Sequence, residues 1–180
     1  MSLPWDTRPP GPLPRLPDAL AERVAALGAR QVNLYRSLAA APDLLEAWID
    51  WAWALRDRCT TPRDLRELVV LRTAVLARSP YEWHQHERMA RDAGLAPERI
   101  AAVAAWQVSD LFDARERAAL ALTDAVVAGA VPDAVLDALA EHVDERGRLE
   151  LVLTAAFYVM VPRVLDALRV PLERQEPGGP

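Results

Sequence analysis

Two acidic residues and a histidine near the middle of the chain have the types and spacing of an acid/base site. Glu82 and His86 are four residues apart, and Glu67 precedes them by a short stretch of sequence. Residues i and i+4 of a helix are neighbours, so the carboxylate of Glu82 would stabilise the imidazolium form of His86 and orient its ring. Such a pair can accept and deliver protons near neutral pH.

The same residues also fit a purely structural interpretation. In Ser79-Pro80-Tyr81-Glu82, Ser79 is a typical N-cap, Pro80 suits the first helical position, and Glu82 could reach back to the N–H of Ser79. One carboxylate cannot fully serve a cap and a site, so the sequence leaves both roles open for Glu82. Glu67 is likewise either a first-turn acid that compensates the helix dipole or a carboxylate close to buried surface, where it must be paired.

Several further side chains could form a pocket around these residues, although helix capping for Ser79 and packing for Tyr158 are the simpler explanations. The pocket candidates are Ser79, Tyr81, Trp83 and Tyr158.

A metal site and a cofactor are not expected. Glu67, Glu82 and His86 are of the types that bind zinc, but their spacing does not show that they converge. His84 is two residues from His86, so on a helix it projects from a different face.

Cys59 is the only cysteine of the chain, which excludes a disulfide within the chain and a CxxC redox pair. The neighbouring Arg56 and Arg58 could lower the pKa of its thiol, but a lone thiol is more simply incidental. A single free cysteine fits a reducing compartment, and we expect a cytoplasmic protein.

The composition excludes several classes of protein. The net charge is −5, with acids and arginines interleaved, so we expect no nucleic-acid partner. All 21 basic residues are arginine, as in GC-rich bacterial genomes. The N-terminal segment lacks the apolar region of a signal peptide, and no apolar run of about 18 residues is apparent, so no membrane span is predicted.

The sequence predicts an all-α fold, because proline-plus-acid helix starts recur and period-2 alternation is not found. We expect about seven or eight helices in one domain over residues 18–172, flanked by a proline-rich tail (1–17) that Trp5 could anchor and a C-terminal tail (173–180). Pro162 should kink or break the last helix, and Gly94 and Gly129 suit C-terminal caps. The predicted helices are 18–40 (with a break near Gly28), 42–58, 62–78, 80–93, 97–106, 113–129, 132–142 and 145–168.

The segment ELVVLRTAVLARSPYEWHQHERMARDAGL, residues 67–95, resembles the carboxymuconolactone decarboxylase family, which includes alkylhydroperoxidase D. Flanking helical segments extend the resemblance over about residues 30–172. The peroxidase branch of that family carries a glutamate, a CxxC pair and a histidine at set spacing. On that pattern Glu67 and His86 take the places of the glutamate and the histidine, whereas Ser79 and Glu82 stand where the cysteines belong.

The resemblance implies a function as well as a fold. Without the thiols, peroxidase chemistry through a sulfenic acid is not expected, and the branch without CxxC suggests a cofactor-free decarboxylase that acts on a small carboxylated lactone. The proposed catalytic residues are His86 as acid/base, Glu82 as its orienting partner and Glu67 as a second proton carrier. The family also implies a homo-oligomer, as a dimer, trimer or hexamer, and a small-molecule substrate. The alternatives are an antioxidant of the alkylhydroperoxidase or peroxiredoxin-like type, disfavoured by the missing thiols, and a non-catalytic oligomer that binds a small ligand.

Overall fold

The computed structural model describes residues 9–27 and 32–173. In these two ranges the regular structure is entirely helical and contains no strand, which confirms the all-α prediction. Nine α-helices and a 3-10 helix are present there. They are α1 (Asp18–Ala26), α2 (Asn33–Leu38), α3 (Pro42–Asp57), α4 (Arg63–Leu76), α5 (Pro80–Asp92), α6 (Pro97–Ala102), the 3-10 helix (Val103–Val108), α7 (Ala114–Ala128), α8 (Asp133–Ala140) and α9 (Glu145–Leu168).

Three of the predicted helices differ in detail from the structure. The helix predicted over 18–40, with a break near Gly28, corresponds to two helices, α1 and α2, and Gly28 itself lies outside the described residues. The helix predicted over 97–106 changes to a 3-10 helix after α6, and Ala105 within that 3-10 helix leaves helical geometry at φ −128° and ψ 40°. Pro162 does not break α9, which continues to Leu168.

Both predicted glycine caps are present, and α7 also begins with a capping box. The Asp113 side chain and Glu116 form a capping box at the start of α7. Gly129 ends that helix in the left-handed conformation at φ 79°, and Gly94, at φ 96°, follows the C-cap of α5. A side chain at either position would be strained, so glycine fits both.

The chain divides into two units, and the candidate site lies within the second, Ala54–Pro162. Its central helix is α4, in which every residue from Leu65 to Ala74 is buried. Leu68 and Leu71 belong to one apolar cluster with residues of α5, α6, the 3-10 helix and α7. Leu65 and Val69 belong to another with residues of α7, α8 and α9. Burying each such leucine contributes about 1.5 to 3 kcal/mol, so α4 is firmly held.

The other unit combines the described residues up to Trp53 with those from Arg163 onward. The described part of the proline-rich segment is non-helical up to α1, and Gly11 donates a hydrogen bond to the carbonyl of Arg169 at 2.9 Å. Leu16 is buried. Trp5 lies outside the described residues, and the predicted boundaries of the two tails stay a prediction.

α9 corrects one expectation from the sequence. By length and composition alone it is apolar enough to cross a membrane, whereas no such stretch was expected. Core helices of soluble proteins can be as long and as apolar as a membrane span. Leu151 and Ala155 of α9 are fully buried in the second apolar cluster.

Candidate functional site

The centre of the site is a hydrogen bond between Glu67 on α4 and His86 on α5. Glu67 Oε2 lies 2.8 Å from His86 Nδ1, and the two residues are 1% and 6% exposed. The other oxygen, Oε1, forms an ion pair with Arg63, one turn earlier on α4. Both oxygens of a buried carboxylate therefore have charged or polar partners, which offset the cost of burial.

The surroundings of Glu67 keep it ionised. Burial alone would raise its pKa, but His86 and Arg63 outweigh burial, so that the pKa of Glu67 is below its ordinary value. An ionised carboxylate only accepts hydrogen bonds. It follows that Nδ1 of His86 carries the proton and donates it to Glu67.

Glu82 lies on the opposite side of the same imidazole. Its Oε2 is 3.7 Å from His86 Nε2, which is too long for a hydrogen bond but close enough for charge interaction. Ser79 caps α5 by accepting a hydrogen bond from the N–H of Glu82. In a full capping box the carboxylate of Glu82 would also accept a hydrogen bond from the N–H of Ser79. Here that N–H donates to the carbonyl of Ala74 instead. The geometry thus places the carboxylate of Glu82 beside the imidazole instead of at the cap.

Tyr158 on α9 completes the wall around His86. The two rings meet edge to face, with centroids 4.8 Å apart and planes at 85°, a favourable geometry for aromatic rings. The other pocket candidates lie elsewhere. Tyr81 is buried in the first turn of α5, and Trp83 packs against the first apolar cluster.

A small cleft opens beside Glu67 and Tyr158. Its free volume is about 10 Å³, enough for roughly one water molecule. His86 lies behind Glu67 and Tyr158 instead of lining the cleft. The lining residues are Leu55, Arg56, Arg63, Arg66, Glu67, Val70, Thr154 and Tyr158.

Sequence reasoning did not single out the arginines of this cleft. Arg63 could have been found, because it precedes Glu67 by four residues on the same helix, a spacing typical of ion pairs. For Arg66 and Arg56, no comparable spacing in the sequence predicts a position in the cleft. Arg66 is next to Glu67 in sequence and yet reaches the cleft from a buried position, 6% exposed.

The suggestion that neighbouring arginines lower the pKa of Cys59 is wrong, whereas the interpretation of Cys59 as an incidental thiol is not contradicted. Burial raises the pKa of its thiol, and the carboxylate of Glu150 raises it further. Nearby arginines lower it, but by less. They are Arg66, Arg146 and Arg63, and not the sequence neighbours Arg56 and Arg58. A thiol with a raised pKa is a poor nucleophile at neutral pH.

Within the described ranges, no group of three or more histidine, cysteine, aspartate or glutamate side chains is arranged to hold a metal ion. Glu67, His86 and Glu82 do lie together, but the imidazole stands between the two carboxylates. The arrangement suits proton transfer along a line of groups.

Comparison with known proteins shows a similarity to one family in the region that contains these residues. Residues 42–125, which include Glu67, Glu82 and His86, match the model of the carboxymuconolactone decarboxylase family. The uncharacterised protein YdfG of Bacillus subtilis (strain 168) is 31% identical over 94 residues. That match covers 51% of this chain and 64% of YdfG, slightly less than two thirds of the relative.

Solved structures share the fold. An uncharacterised peroxidase-related protein from Ralstonia eutropha JMP134, described as an alkylhydroperoxidase AhpD core, has a TM-score of 0.79 at 23% identity, over 93% of this chain and 94% of that one. The debrominase Bmp8, in complex with 2,3,4-tribromopyrrole, has a TM-score of 0.76 at 20% identity, over 89% and 91%. The putative antioxidant defence protein AhpD from Agrobacterium tumefaciens has a TM-score of 0.71 at 20% identity, over 77% and 96%. At these identities the likeness concerns the AhpD-like helical fold alone.

Proposed function

We propose that this chain, in which residues 42–125 match the model of the carboxymuconolactone decarboxylase family, is a cofactor-free acid/base enzyme that removes CO₂ from a small carboxylated, lactone-like metabolite. The observation that carries the proposal is the buried hydrogen bond of 2.8 Å between Glu67 and His86, next to a cleft that Glu67 itself lines. A buried carboxylate–imidazole pair is a competent proton donor and acceptor. The fold alone would not support this activity, since one fold hosts many chemistries.

The reaction requires one proton at one carbon atom. When the C–C bond to the carboxylate breaks, CO₂ leaves and the electron pair stays on the substrate carbon as a delocalised carbanion. In the proposal, the Nδ1 proton of a protonated His86 passes to Oε2 of Glu67, and Glu67 delivers it to that carbon in the cleft. His86 is left neutral with its proton on Nε2, and solvent restores the second proton.

This order of groups modifies the roles expected from the sequence. Glu67 lines the cleft, so it is the proposed catalytic residue that touches the substrate, and His86 supplies its proton from behind. Glu82, whose carboxylate lies 3.7 Å from Nε2, is a positioning residue on the other side of the imidazole from Glu67. Tyr158 fixes the ring of His86 by its edge-to-face contact.

The small cleft favours a second candidate function, a non-catalytic oligomer that binds at most a very small ligand. About 10 Å³ of free volume does not admit a lactone as the side chains stand. In the enzyme proposal, the end of Arg56, which is 41% exposed, must swing outward when substrate enters. Long arginine side chains at a surface can do so at small cost.

Two histidine variants test the enzyme proposal. His84 is exposed and lies two residues from His86 on the same helix, so His84→Gln is a matched control for His86→Gln. With carboxylated lactones as substrates, we expect CO₂ release by the wild type and by His84→Gln, and a loss of about 10²-fold or more in His86→Gln. Equal rates in the wild type and in His86→Gln would refute the proposed roles. An inactive wild type would favour the non-catalytic alternative.

Thiol peroxidase activity is the disfavoured alternative. The chain has one cysteine, so an oxidised Cys59 would have no second thiol in the chain to resolve it. The raised pKa of Cys59 also reduces the fraction of reactive thiolate.

A further inference from the structure

We propose that Tyr158 is a positioning residue that closes His86 off from the cleft, so that the proton of the imidazole reaches the cleft only through Glu67. The inference rests on the proposed function for the reaction that uses this proton. The closure itself is a property of the folded protein and is measurable without a substrate.

Two side chains stand between the imidazole and the cleft. Glu67 and Tyr158 both line the cleft and both contact His86, whereas His86 is not part of the lining. The carboxylate of Glu67 lies 2.8 Å from Nδ1, and His86 is only 6% exposed. The first side chain exchanges protons with the imidazole, and the second covers it with an aromatic ring.

The geometry of the two rings assigns this cover to the ring of Tyr158 and not to its hydroxyl. The ring centroids are 4.8 Å apart and the planes are at 85°, so that the edge of one ring meets the face of the other. This separation is near the short end of the range for such pairs, so the rings are in direct contact and leave no space for water between them. Phenylalanine at this position would keep the contact, and a small residue would remove it.

Helix α9 holds the ring of Tyr158 in place. Thr154, one turn earlier, is 2% exposed, donates a hydrogen bond to the carbonyl of Glu150 at 2.7 Å and lines the same cleft. The carboxylate of Glu150 accepts hydrogen bonds of 2.8 to 2.9 Å from backbone N–H groups of the loop before α4. This part of α9 is therefore tied to the start of the helix that carries Glu67.

Exclusion of water from this side of the imidazole serves the proposed proton transfer. Water in contact with Nδ1 of His86 would compete with Glu67 for the proton, and it would weaken their hydrogen bond by screening the charges. A dry contact with Tyr158 leaves Glu67 as the acceptor at Nδ1 and keeps their interaction strong. The ring thus determines the route of the proton.

Modification of His86 by diethyl pyrocarbonate, which reacts with accessible imidazoles, tests the inference without any turnover. The chain has three histidines, and the other two, His84 and His142, are exposed. In the His84→Gln background, His86 is the only histidine of the tryptic peptide 79–88, so mass spectrometry of that peptide reports on it alone, with His142 as internal standard. We expect His86 to react about tenfold or more slower than His142, because the reagent reaches a buried group only when the structure opens.

Substitutions at position 158 separate the ring from the hydroxyl. Tyr158→Ala should raise the reaction rate of His86 about tenfold or more, because the lost ring leaves room for water and reagent. Tyr158→Phe should keep the protection of the wild type. Tyr158→Leu, which keeps apolar bulk without the planar ring, should raise the rate about threefold, and it decides the question if the alanine variant does not fold. Tyr35→Ala, at a buried tyrosine of α2, is the matched control for a general loss of stability and should leave His86 protected.

Four outcomes would overturn the inference: rapid modification of His86 in the wild type, full protection in folded Tyr158→Ala and Tyr158→Leu, loss of protection in Tyr158→Phe, or equal exposure of His86 in Tyr35→Ala. Circular dichroism establishes whether each variant is folded. For an active enzyme, Tyr158→Ala should release CO₂ about tenfold or more slower than Tyr35→Ala, and equal rates would refute the role of the ring in the reaction. Protection that depends on the ring in a protein without CO₂ release would support the closure and refute the proposed reaction, so the two failures are distinguishable.

Discussion

Glu67 and Glu150 are two buried glutamates, each of which forms an ion pair with the arginine four residues before it. Arg63 pairs with Glu67, and Arg146 pairs with Glu150. The remaining partners differ. Glu67 binds the imidazole of His86, whereas Glu150 accepts hydrogen bonds from the backbone of Thr60 and Thr61 at 2.8 to 2.9 Å.

Because their partners differ, Glu67 is a candidate proton carrier, whereas Glu150 has a structural role. Backbone N–H groups do not release protons in the physiological range, so Glu150 can only hold the loop that precedes α4. An imidazole does exchange protons there, and Glu67 lies beside it. The pairs Arg63–Glu67 and Arg146–Glu150 therefore have the same spacing, but only the first has a further partner suited to proton transfer.

Replacing Glu67 by glutamine should destabilise the protein considerably. The side chain is 1% exposed, and the variant removes the buried carboxylate that Arg63 and His86 both bind. Removing one partner of a buried ion pair typically costs about 3 to 5 kcal/mol. We expect a decrease of about 3 kcal/mol in the free energy of unfolding in urea.

Glu87 provides the matched control for Glu67→Gln. It forms an ion pair with Arg91 at the same spacing on α5, but the two side chains are 35% and 55% exposed. Glu87→Gln should change the free energy of unfolding by about 0.5 kcal/mol or less. Equal losses in the two variants would contradict the importance assigned to the buried network.

Much of the fold follows from local signals in the sequence. Helices α3 to α5 and α7 to α9 begin and end within about two residues of their predicted bounds, because prolines, caps and acids act locally. The 3-10 helix could not be predicted, since it depends on long-range contacts. Arg72, for example, donates to the carbonyl of Ala104 at 2.9 Å and binds Asp124 at 2.5 Å.

The site could be predicted less fully than the fold. The i, i+4 relation of Glu82 and His86 is visible in the sequence, but their separation of 3.7 Å makes this the weaker of the two contacts. The shorter contact joins His86 to Glu67, 19 residues away, and the packing of α4 against α5 creates it. The direction of the Cys59 pKa shift was wrong for the same reason, since burial and Glu150 act across space.

Stability in acid should depend on Glu150. Although burial would raise its pKa, hydrogen bonds from Thr60, Thr61 and Arg146 lower it to about 2, below the value of about 4.3 in an unfolded chain. Because the unfolded chain then binds more protons than the folded one, stability increases with pH between these values and is complete above them. The contribution of Glu150 is thus lost as pH falls from about 4.5 towards 2.

Unfolding in urea between pH 6 and pH 3 tests this dependence. In Glu150→Gln the free energy of unfolding should be lower at pH 6 and should decline less steeply below about pH 4.5 than in the wild type. Glu141→Gln, at an exposed position, should follow the wild-type curve. An unchanged slope in Glu150→Gln would show that other carboxylates determine stability in acid.

Ser79 should matter for stability and little for catalysis. Its hydroxyl accepts a hydrogen bond from the N–H of Glu82 at 3.3 Å and caps α5, and loss of such a cap costs about 1 kcal/mol. We expect Ser79→Ala to lower the melting temperature by about 2 to 4 °C for a chain of this size. Ser79→Thr keeps the hydroxyl and should retain most of the stability that Ser79→Ala loses.

CO₂ release per folded molecule should remain within about threefold of the wild type in both variants, because the carboxylate of Glu82 contacts His86 and not the cap. A melting temperature like that of the wild type, combined with a large loss of turnover in Ser79→Ala, would instead indicate that the hydroxyl takes part in the reaction.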